Sequence, residues 1–230
     1  MVKLLWIAAA LAACGGDSAG SLPDAAMGTV DAPPVGTTDV VVDFDLDDNL
    51  VPPELNIGDG ALAPTEGYAP LGPDGNQFGD LFLRSRTGNT VTLTVPNLPA
   101  HSKISIAFLF AAIDSLDGTG SFPAGDYMRI DLDGTPVFRE SFANALPEQE
   151  QSYVPSDPDV VLARRVDLGF QGPGGYFTDS AYNMAKEAKF QNLPHTSSTA
   201  VIAFTLEGEG VQSVDDESWA VDNLRVRIVE

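Results

Sequence analysis

From Asp39 onward the chain consists of short stretches in which apolar and polar residues alternate, separated by glycine, proline, asparagine and aspartate. Alternation with period two places successive side chains on opposite faces of a strand, so each stretch predicts a β-strand with one buried face. The Asp133-Gly134 pair joins two of them as a hairpin turn. The predicted strands lie at 40–44, 91–95, 104–110, 127–132, 136–142, 201–206 and 219–229.

Nine or ten strands fit into residues 39–230, and helices do not alternate with them as they would in a parallel α/β sheet. This pattern predicts an all-β domain, an antiparallel β-sandwich. Apolar residues make up 43% of the chain, enough for one substantial core. Two long connections rich in proline and glycine, 45–80 and 143–178, are expected either to carry function or to pack over an edge of the sandwich.

The segment 181–190 is ambiguous. Its alanine, methionine, lysine and glutamate content favours a helix. However, Tyr182, Met184 and Phe190 share one parity, and the surrounding sequence is rich in turns. We therefore predict a strand.

The N-terminus has the pattern of an export signal. A short basic head at residues 1–3 precedes ten apolar residues, 4–13. This run is shorter than the roughly 20 residues that a membrane-spanning helix needs, but it suits the apolar region of a secretory signal. The sequence Leu11-Ala12-Ala13-Cys14 then matches the cleavage site of bacterial lipoproteins, and Cys14 is the single cysteine of the chain. We predict a signal peptide at 1–13 and a lipidated Cys14; the alternative is an ordinary secretory signal.

Residues 14–38 are predicted to be the lipidated cysteine and a flexible linker, because they are rich in small and polar residues and lack apolar periodicity. The lipid anchor would hold the domain at a bacterial membrane, in the periplasm or on the cell surface. Gly15 after the cysteine favours the outer membrane. The formal net charge of −21 argues against nucleic acid as a partner.

One motif occurs twice. Asn97-Leu-Pro-Ala-His101 and Asn192-Leu-Pro-His195 each precede an apolar strand. Each reads as a turn that leads the chain into a core strand. A metal site at the two histidines is the alternative, but the chain has no third histidine.

Four phrases together resemble a widespread bacterial extracellular jelly-roll domain, related in architecture to galactose-binding-like and MAM-type modules. The resemblance covers roughly residues 39–230. It implies a β jelly roll with a structural calcium site that acts in recognition or adhesion and not in catalysis. The phrases are Leu98-Pro-Ala-His101, Ile113-Asp-Ser-Leu-Asp-Gly118, Phe177-Thr-Asp-Ser-Ala-Tyr182 and Asp216-Glu-Ser-Trp-Ala-Val-Asp-Asn-Leu224.

The acidic residues are candidates for calcium, which binds six to eight oxygen ligands. In the related modules an acid beside the first strand meets an acid of the last strand, which implies Asp45 with Asp222 as the leading pair, next to Asn223. A second cluster, Asp114, Asp117 and Asp126, could close over Asp216 and Glu217. The alternative is that these acids cap turns and face water.

Ligand contact is expected from loop aromatics, since rings that stack on sugars must be accessible; Trp219 is expected in the core. Three functions remain open: recognition of a carbohydrate or matrix polymer, a structural or adhesive role through protein contacts, and a carbohydrate-active enzyme. We expect no enzymatic activity, because the sequence contains no nucleophile-elbow, metalloprotease or phosphate-binding motif. The candidate stacking residues are Tyr68, Tyr153, Tyr176 and Phe177.

Overall fold

A computed structural model describes residues 38–120, 125–172, 178–208 and 212–230. The predicted signal peptide, Cys14 and nearly all of the predicted linker lie outside these residues. Among the residues described, no helix is long and apolar enough to cross a bilayer.

The described residues form thirteen strands and four short 3-10 helices. The strands are β1 (Thr38–Phe44), β2 (Leu55–Asn56), β3 (Ala61–Pro64), β4 (Leu81–Arg86), β5 (Thr90–Val95), β6 (Lys103–Asp114), β7 (Tyr127–Leu132), β8 (Thr135–Ser141), β9 (Val161–Val166), β10 (Asp179–Asn183), β11 (Leu193–Pro194), β12 (Ala200–Glu207) and β13 (Glu217–Val229). The 3-10 helices are Glu66–Tyr68, Pro158–Val160, Met184–Lys186 and Ala188–Phe190.

The strands form two antiparallel sheets. One has eight strands in the order β3-β4-β13-β6-β10-β9, with β1 paired to β13 and β11 to β6; the other has the order β2-β5-β12-β7-β8. The long strand β13 pairs with β4 along its first half, with β1 along its second half, and with β6 along its other edge. The predicted all-β jelly-roll sandwich is confirmed.

The main core lies between the two sheets and contains the alternating apolar residues. The Phe108 ring centroid is 5.3 Å from those of Phe190 and Phe204, in edge-to-face contacts that stabilise a fold beyond the area they bury. Trp219 is fully buried, and its Nε1 donates a hydrogen bond to the Arg86 carbonyl at 3.1 Å. Its predicted place in the core is confirmed.

A second apolar cluster covers the outer face of the eight-stranded sheet. It places Phe78, Phe82 and Phe170 around Tyr68, and it packs on Ile113 of β6. The two long connections supply most of this cover, so β4 and β10 are largely buried on both faces. Strands buried on both faces lose the period-two alternation, which is why β4 was not indicated by the sequence pattern.

The predicted strand at 181–190 is wrong beyond Asn183. Strand β10 ends there, and two 3-10 turns follow. Glu187 caps the second turn, and its side chain accepts a hydrogen bond from the Lys189 amide. Met184 and Phe190 still reach the core, since each is at most 1% exposed. Their shared parity therefore reflects burial and not an extended backbone.

Candidate functional site

Three carboxylates meet at one end of the sandwich. Asp117 follows β6, Asp126 directly precedes β7, and Glu217 begins β13. One oxygen from each side chain lies within 4.8 Å of the others. No second set of three acidic, histidine or cysteine side chains is this close together in the described ranges. We call Asp117, Asp126 and Glu217 the acidic triad.

A tight turn after Asp117 builds the triad. The Asp117 amide donates to Asp126 Oδ2, and the Asp126 amide donates to the Gly118 carbonyl at 3.0 Å. Gly118 has φ +78°, and a Cβ there would lie 2.1 Å from the Glu150 carbonyl oxygen. Only glycine combines this conformation with so close an approach of another backbone. The Gln149 side chain donates to Asp117 Oδ1 and orients that carboxylate.

The triad is electrostatically costly when all its members are ionised. Asp126 and Glu217 are 4% and 2% exposed. Burial is the main cause that raises the pKa of each carboxyl, and repulsion from the neighbouring carboxylates raises it further. Burial also raises the pKa of Asp117. Bound protons or a bound cation would relieve this cost.

Asp114 lies beside the triad, but its carboxylate contacts the segment at Gly172 instead. Its Oδ1 accepts a hydrogen bond from the Gly172 amide at 3.0 Å, whereas its buried Oδ2 has no hydrogen-bond partner among the described residues. Burial raises its pKa to about 6. Its own amide donates to Asp179 Oδ1 at 3.1 Å.

Asp179 is a buried acid that the sequence-based reasoning did not select, although it lies in one of the quoted phrases. It is fully buried, and burial raises its pKa to about 7. Another acid of this end, Asp216, is half-buried and accepts a hydrogen bond from Ser115 Oγ at 3.2 Å. Two of the five residues predicted for this cluster, Asp114 and Asp216, therefore flank the triad and do not belong to it.

The other predicted cluster centres on Asp222. The pairing of β13 with β6 shifts register after this residue, and Asn223 has φ +49°. Asp222 is fully buried; its Oδ1 accepts from the Asn223 amide at 2.7 Å and its Oδ2 from the Gly79 amide at 3.1 Å. The Asn223 side chain donates to the Gln77 carbonyl. These hydrogen bonds hold this irregular part of β13 against the connection that precedes β4.

Two acids from the segment after β1 lie near Asp222. Burial raises the pKa of Asp222 to about 7, and the carboxylates of Asp47 and Asp45 raise it further. Asp47 rests against Gly79, where a Cβ would lie 2.0 Å from its Oδ2. The predicted partner Asp45 is exposed and near, but Asp47, which the sequence-based reasoning missed, has the larger effect. Its only sequence signal is its shared parity with Asp45.

Two of the predicted stacking aromatics are corrected by the structure. Tyr68 is fully buried and donates to the Ala112 carbonyl at 3.0 Å. Tyr153 is 2% exposed and donates to Glu187 Oε2 at 2.8 Å. Both rings fix their connections onto the sandwich, so neither offers a face to a sugar. Tyr176 and Phe177 lie outside the described residues.

No protein-family model and no curated protein matches the chain. Among solved structures, the chain is similar to the K1 cleaved adhesin domain of Lys-gingipain from Porphyromonas gingivalis W83, at 15% identity over 83% of this chain and 98% of that one, with a TM-score of 0.41. It is also similar to the CBM22-1 xylan-binding domain from Paenibacillus barcinonensis Xyn10C, at 10% identity over 86% and 99% of the two chains, with a TM-score of 0.35. The β-sandwich assignment itself rests on the strand order and pairing described above.

Proposed function

We propose that this protein is a membrane-anchored extracellular recognition module, in which calcium held by the acidic triad stabilises a β-sandwich that binds a carbohydrate or matrix polymer. The observation that carries the calcium proposal is the approach of three carboxylate oxygens to within 4.8 Å, two of them from buried residues. None of the ion pairs among the described residues includes a member of the triad. A cation would supply the missing positive charge.

The donor set fits calcium. All three side chains offer carboxylate oxygens, the hard ligands that calcium prefers, and none offers nitrogen or sulfur. Bound calcium would neutralise the repulsion within the triad. Asp117, Asp126 and Glu217 would thereby join the end of β6 to the starts of β7 and β13, which belong to different sheets.

Asp222, Asn223 and Asp45 form the second proposed cation position, with Asp47 beside them. Here both Asp222 oxygens already accept backbone hydrogen bonds. This satisfies part of the negative charge without a metal. We therefore assign the principal calcium site to the triad.

Carbohydrate recognition is favoured over a protein-docking role by the distribution of exposed apolar residues. Protein interfaces are centred on clustered large anchors. The exposed large apolar residues of the described chain lie on two strands and in three connections, and only two of them are neighbours in sequence. They are Val40, Leu50, Val51, Leu146, Val154, Val166 and Val214.

The pair of carboxyl groups that lie nearest to each other does not favour a glycosidase. Such enzymes place two carboxyl groups on either side of an open cleft. Asp126 and Glu217 lie side by side but are buried. They suit a structural cation better than a substrate.

Thermal unfolding of the full chain in millimolar calcium and in excess chelator tests the calcium proposal. A ligand at 100 times its dissociation constant adds about 2.7 kcal/mol when it binds only the folded state, which raises Tm by a few degrees for a domain of this size. Asp126→Asn should abolish most of this rise. Asp222→Asn is the matched control and should keep it.

Calorimetric titration with calcium separates the possible outcomes. A Tm rise that survives Asp126→Asn but is lost in Asp222→Asn would move the principal site to Asp222. The absence of calcium binding, despite cooperative unfolding, would contradict the metal proposal. Polysaccharide binding, measured with and without calcium, tests recognition independently.

A further inference from the structure

The two sheets differ in what lies on their outer faces. The second apolar cluster covers the eight-stranded sheet, whereas the five-stranded sheet keeps its outer face accessible. Along β5, β7 and β12 every second residue is buried in the core and the intervening ones are exposed or half-exposed. We call this accessible surface the open face. It includes Thr92 in the middle of β5, together with Tyr127, Arg129, Asp131, Arg139, Thr205 and Glu207.

Four charged side chains form a network on the open face. The Arg129 guanidinium donates to both oxygens of Asp131, each at 2.8 Å, and to Glu207 Oε1 at 3.2 Å. Arg139 Nε donates to Glu207 Oε2 at 2.7 Å. The Arg139 guanidinium also lies 4.2 Å from the Tyr127 ring centroid. These contacts fix the planes of both guanidinium groups before any ligand arrives.

Hydroxyl groups extend the network across the sheet. Thr205 pairs in register with Thr90 on one side and Arg129 on the other, and Arg129 pairs with Arg139. The Oγ1 atoms of Thr90 and Thr205 are 2.8 Å apart. One row across four strands therefore presents hydroxyl, hydroxyl, guanidinium and guanidinium groups.

A shallow groove of about 380 Å³ continues the open face at the β2 edge. It is lined by Asn56 and Thr94, together with Pro53 and Pro96. Thr94 belongs to both surfaces, because its parity in β5 places it outward with Thr90. Five strands spaced about 4.8 Å apart span roughly 19 Å, enough for several sugar units.

We propose that the open face binds an uncharged polysaccharide, which runs across the strands from Arg139 to the groove beside Asn56. The proposal rests on the recognition function proposed above and deepens it by naming the site and the ligand class. Its carrying observation is the fixed array of donors and acceptors on an accessible sheet face.

The charges of the open face and of the whole chain favour a neutral polymer over a charged one. The two arginines are balanced by Asp131 and Glu207, while the whole chain carries a formal net charge of −21. That field repels a polyanion, and both carboxylates of the patch are already paired with arginines, so the patch itself offers a polycation no free carboxylate. The outward aliphatic residues of β12 are only Val201 and Ala203. The central strand β12 therefore offers no large apolar anchor to a protein partner.

The network retains hydrogen-bonding capacity for sugar hydroxyls. Among the described residues Arg139 donates only through Nε, so both of its Nη groups remain available. Each carboxylate oxygen of Asp131 and Glu207 accepts one bond and can accept another. Because the groups are already positioned, little side-chain order remains to be lost on binding.

Affinity electrophoresis of the full chain, in calcium, through gels containing xylan, hydroxyethyl cellulose, mannan or the anionic alginate tests this site. At least one neutral polymer should retard the protein, and alginate should not. Arg139→Ala, and Thr92→Arg at the centre of the face, should each weaken the retardation at least tenfold. Arg227→Ala is the matched control, since it removes an exposed arginine from the other sheet, and should change nothing. Circular dichroism confirms that each variant folds.

The outcomes separate the two proposals. If a neutral polymer retards the parent and both open-face variants equally, the ligand binds elsewhere; the open face is then excluded and recognition stands. If none of the polymers retards the calcium-loaded parent, carbohydrate recognition fails, and the open-face proposal with it. Retardation by alginate alone would overturn the assignment to a neutral polymer.

Discussion

His101 Nε2 lies 2.6 Å from His195 Nδ1, so the only two histidines of the chain are hydrogen-bonded to each other in a buried site. His101 Nδ1 is also 2.6 Å from the Pro99 carbonyl, and His195 Nε2 is 3.0 Å from Asp133 Oδ2. The Pro99 carbonyl can only accept, so His101 Nδ1 donates to it, and the His195 ring joins His101 to Asp133. The repeated motif thus forms a clip between the entry to β6, the segment after β11 and the β7–β8 turn.

Replacing either histidine with alanine should lower the free energy of unfolding by more than the loss of its buried surface explains. His195→Ala leaves His101 Nε2 and Asp133 without this partner, and an unsatisfied buried group costs about 1–3 kcal/mol. Urea unfolding of both single variants and of the double variant with His101→Ala gives the coupling energy. We expect a favourable coupling of about 1 kcal/mol or more, since the two residues share a bond. Additive losses would contradict the clip.

Without calcium, the protein should be less stable at pH 8 than at pH 5. Burial raises the pKa of Asp222 and of Asp179 to about 7 and that of Asp114 to about 6, whereas an unfolded aspartate has a pKa of about 3.9. Between these values the folded state binds more protons than the unfolded state. The free energy of unfolding therefore falls as the pH rises through about 7.

Urea unfolding in calcium-free buffer across this pH range measures the effect. Asp222→Asn removes one of the responsible groups and should flatten the slope. Added calcium competes with protons at the triad, so its stabilisation should be larger at pH 8 than at pH 5. A calcium-free protein that is more stable at pH 8 would show that these carboxyls are ionised without penalty.

The sequence predicted those strands whose residue pattern is compatible with only one backbone conformation. Strands such as β5 and β12 bury a single face, and their alternation marked them. Asp117, Asp126 and Glu217 were selected from a turn and a strand start, together with Asp114. Only the structure shows that Asp114, the last residue of β6, accepts a hydrogen bond from Gly172 instead of joining them. Tertiary packing decides such choices.

The loops were harder to predict for the same reason. Tyr68 and Tyr153 carry no local signal that distinguishes an exposed ring from a buried one, and burial depends on how long connections fold over the sheet. Asp47 lies in a segment without periodicity, so its approach to Gly79 depends on contacts distant in sequence. These features follow from the whole fold and not from neighbouring residues.

Cys14 is predicted to carry the lipid that anchors the protein. Cells of a lipoprotein-processing bacterium that express the full chain and are fed an alkyne-labelled fatty acid should label the protein. Cys14→Ser should lose the label, because no other cysteine is present. Ser18→Ala in the same segment is the control and should keep it. Labelling of the Cys14→Ser variant would contradict the predicted anchor.

Gly118 should be more sensitive to substitution than Gly134, although both have a positive φ, of +78° and +76°. In each case the left-handed conformation destabilises the alanine variant by about 1–2 kcal/mol. At Gly134 no atom lies within 4 Å of the added Cβ, whereas at Gly118 the Glu150 carbonyl oxygen is 2.1 Å away. Gly134→Ala therefore measures the conformational cost alone.

Gly118→Ala must also displace the turn that holds Asp117 against Asp126. We expect a larger loss of unfolding free energy than for Gly134→Ala, and a weaker affinity for calcium in the folded variant, because the triad no longer closes. Urea unfolding gives the first quantity and calorimetric titration the second. If Gly118→Ala lowers stability but binds calcium as tightly as Gly134→Ala does, the turn supports the fold without shaping the triad, and the metal ligands must be sought among the other buried acids.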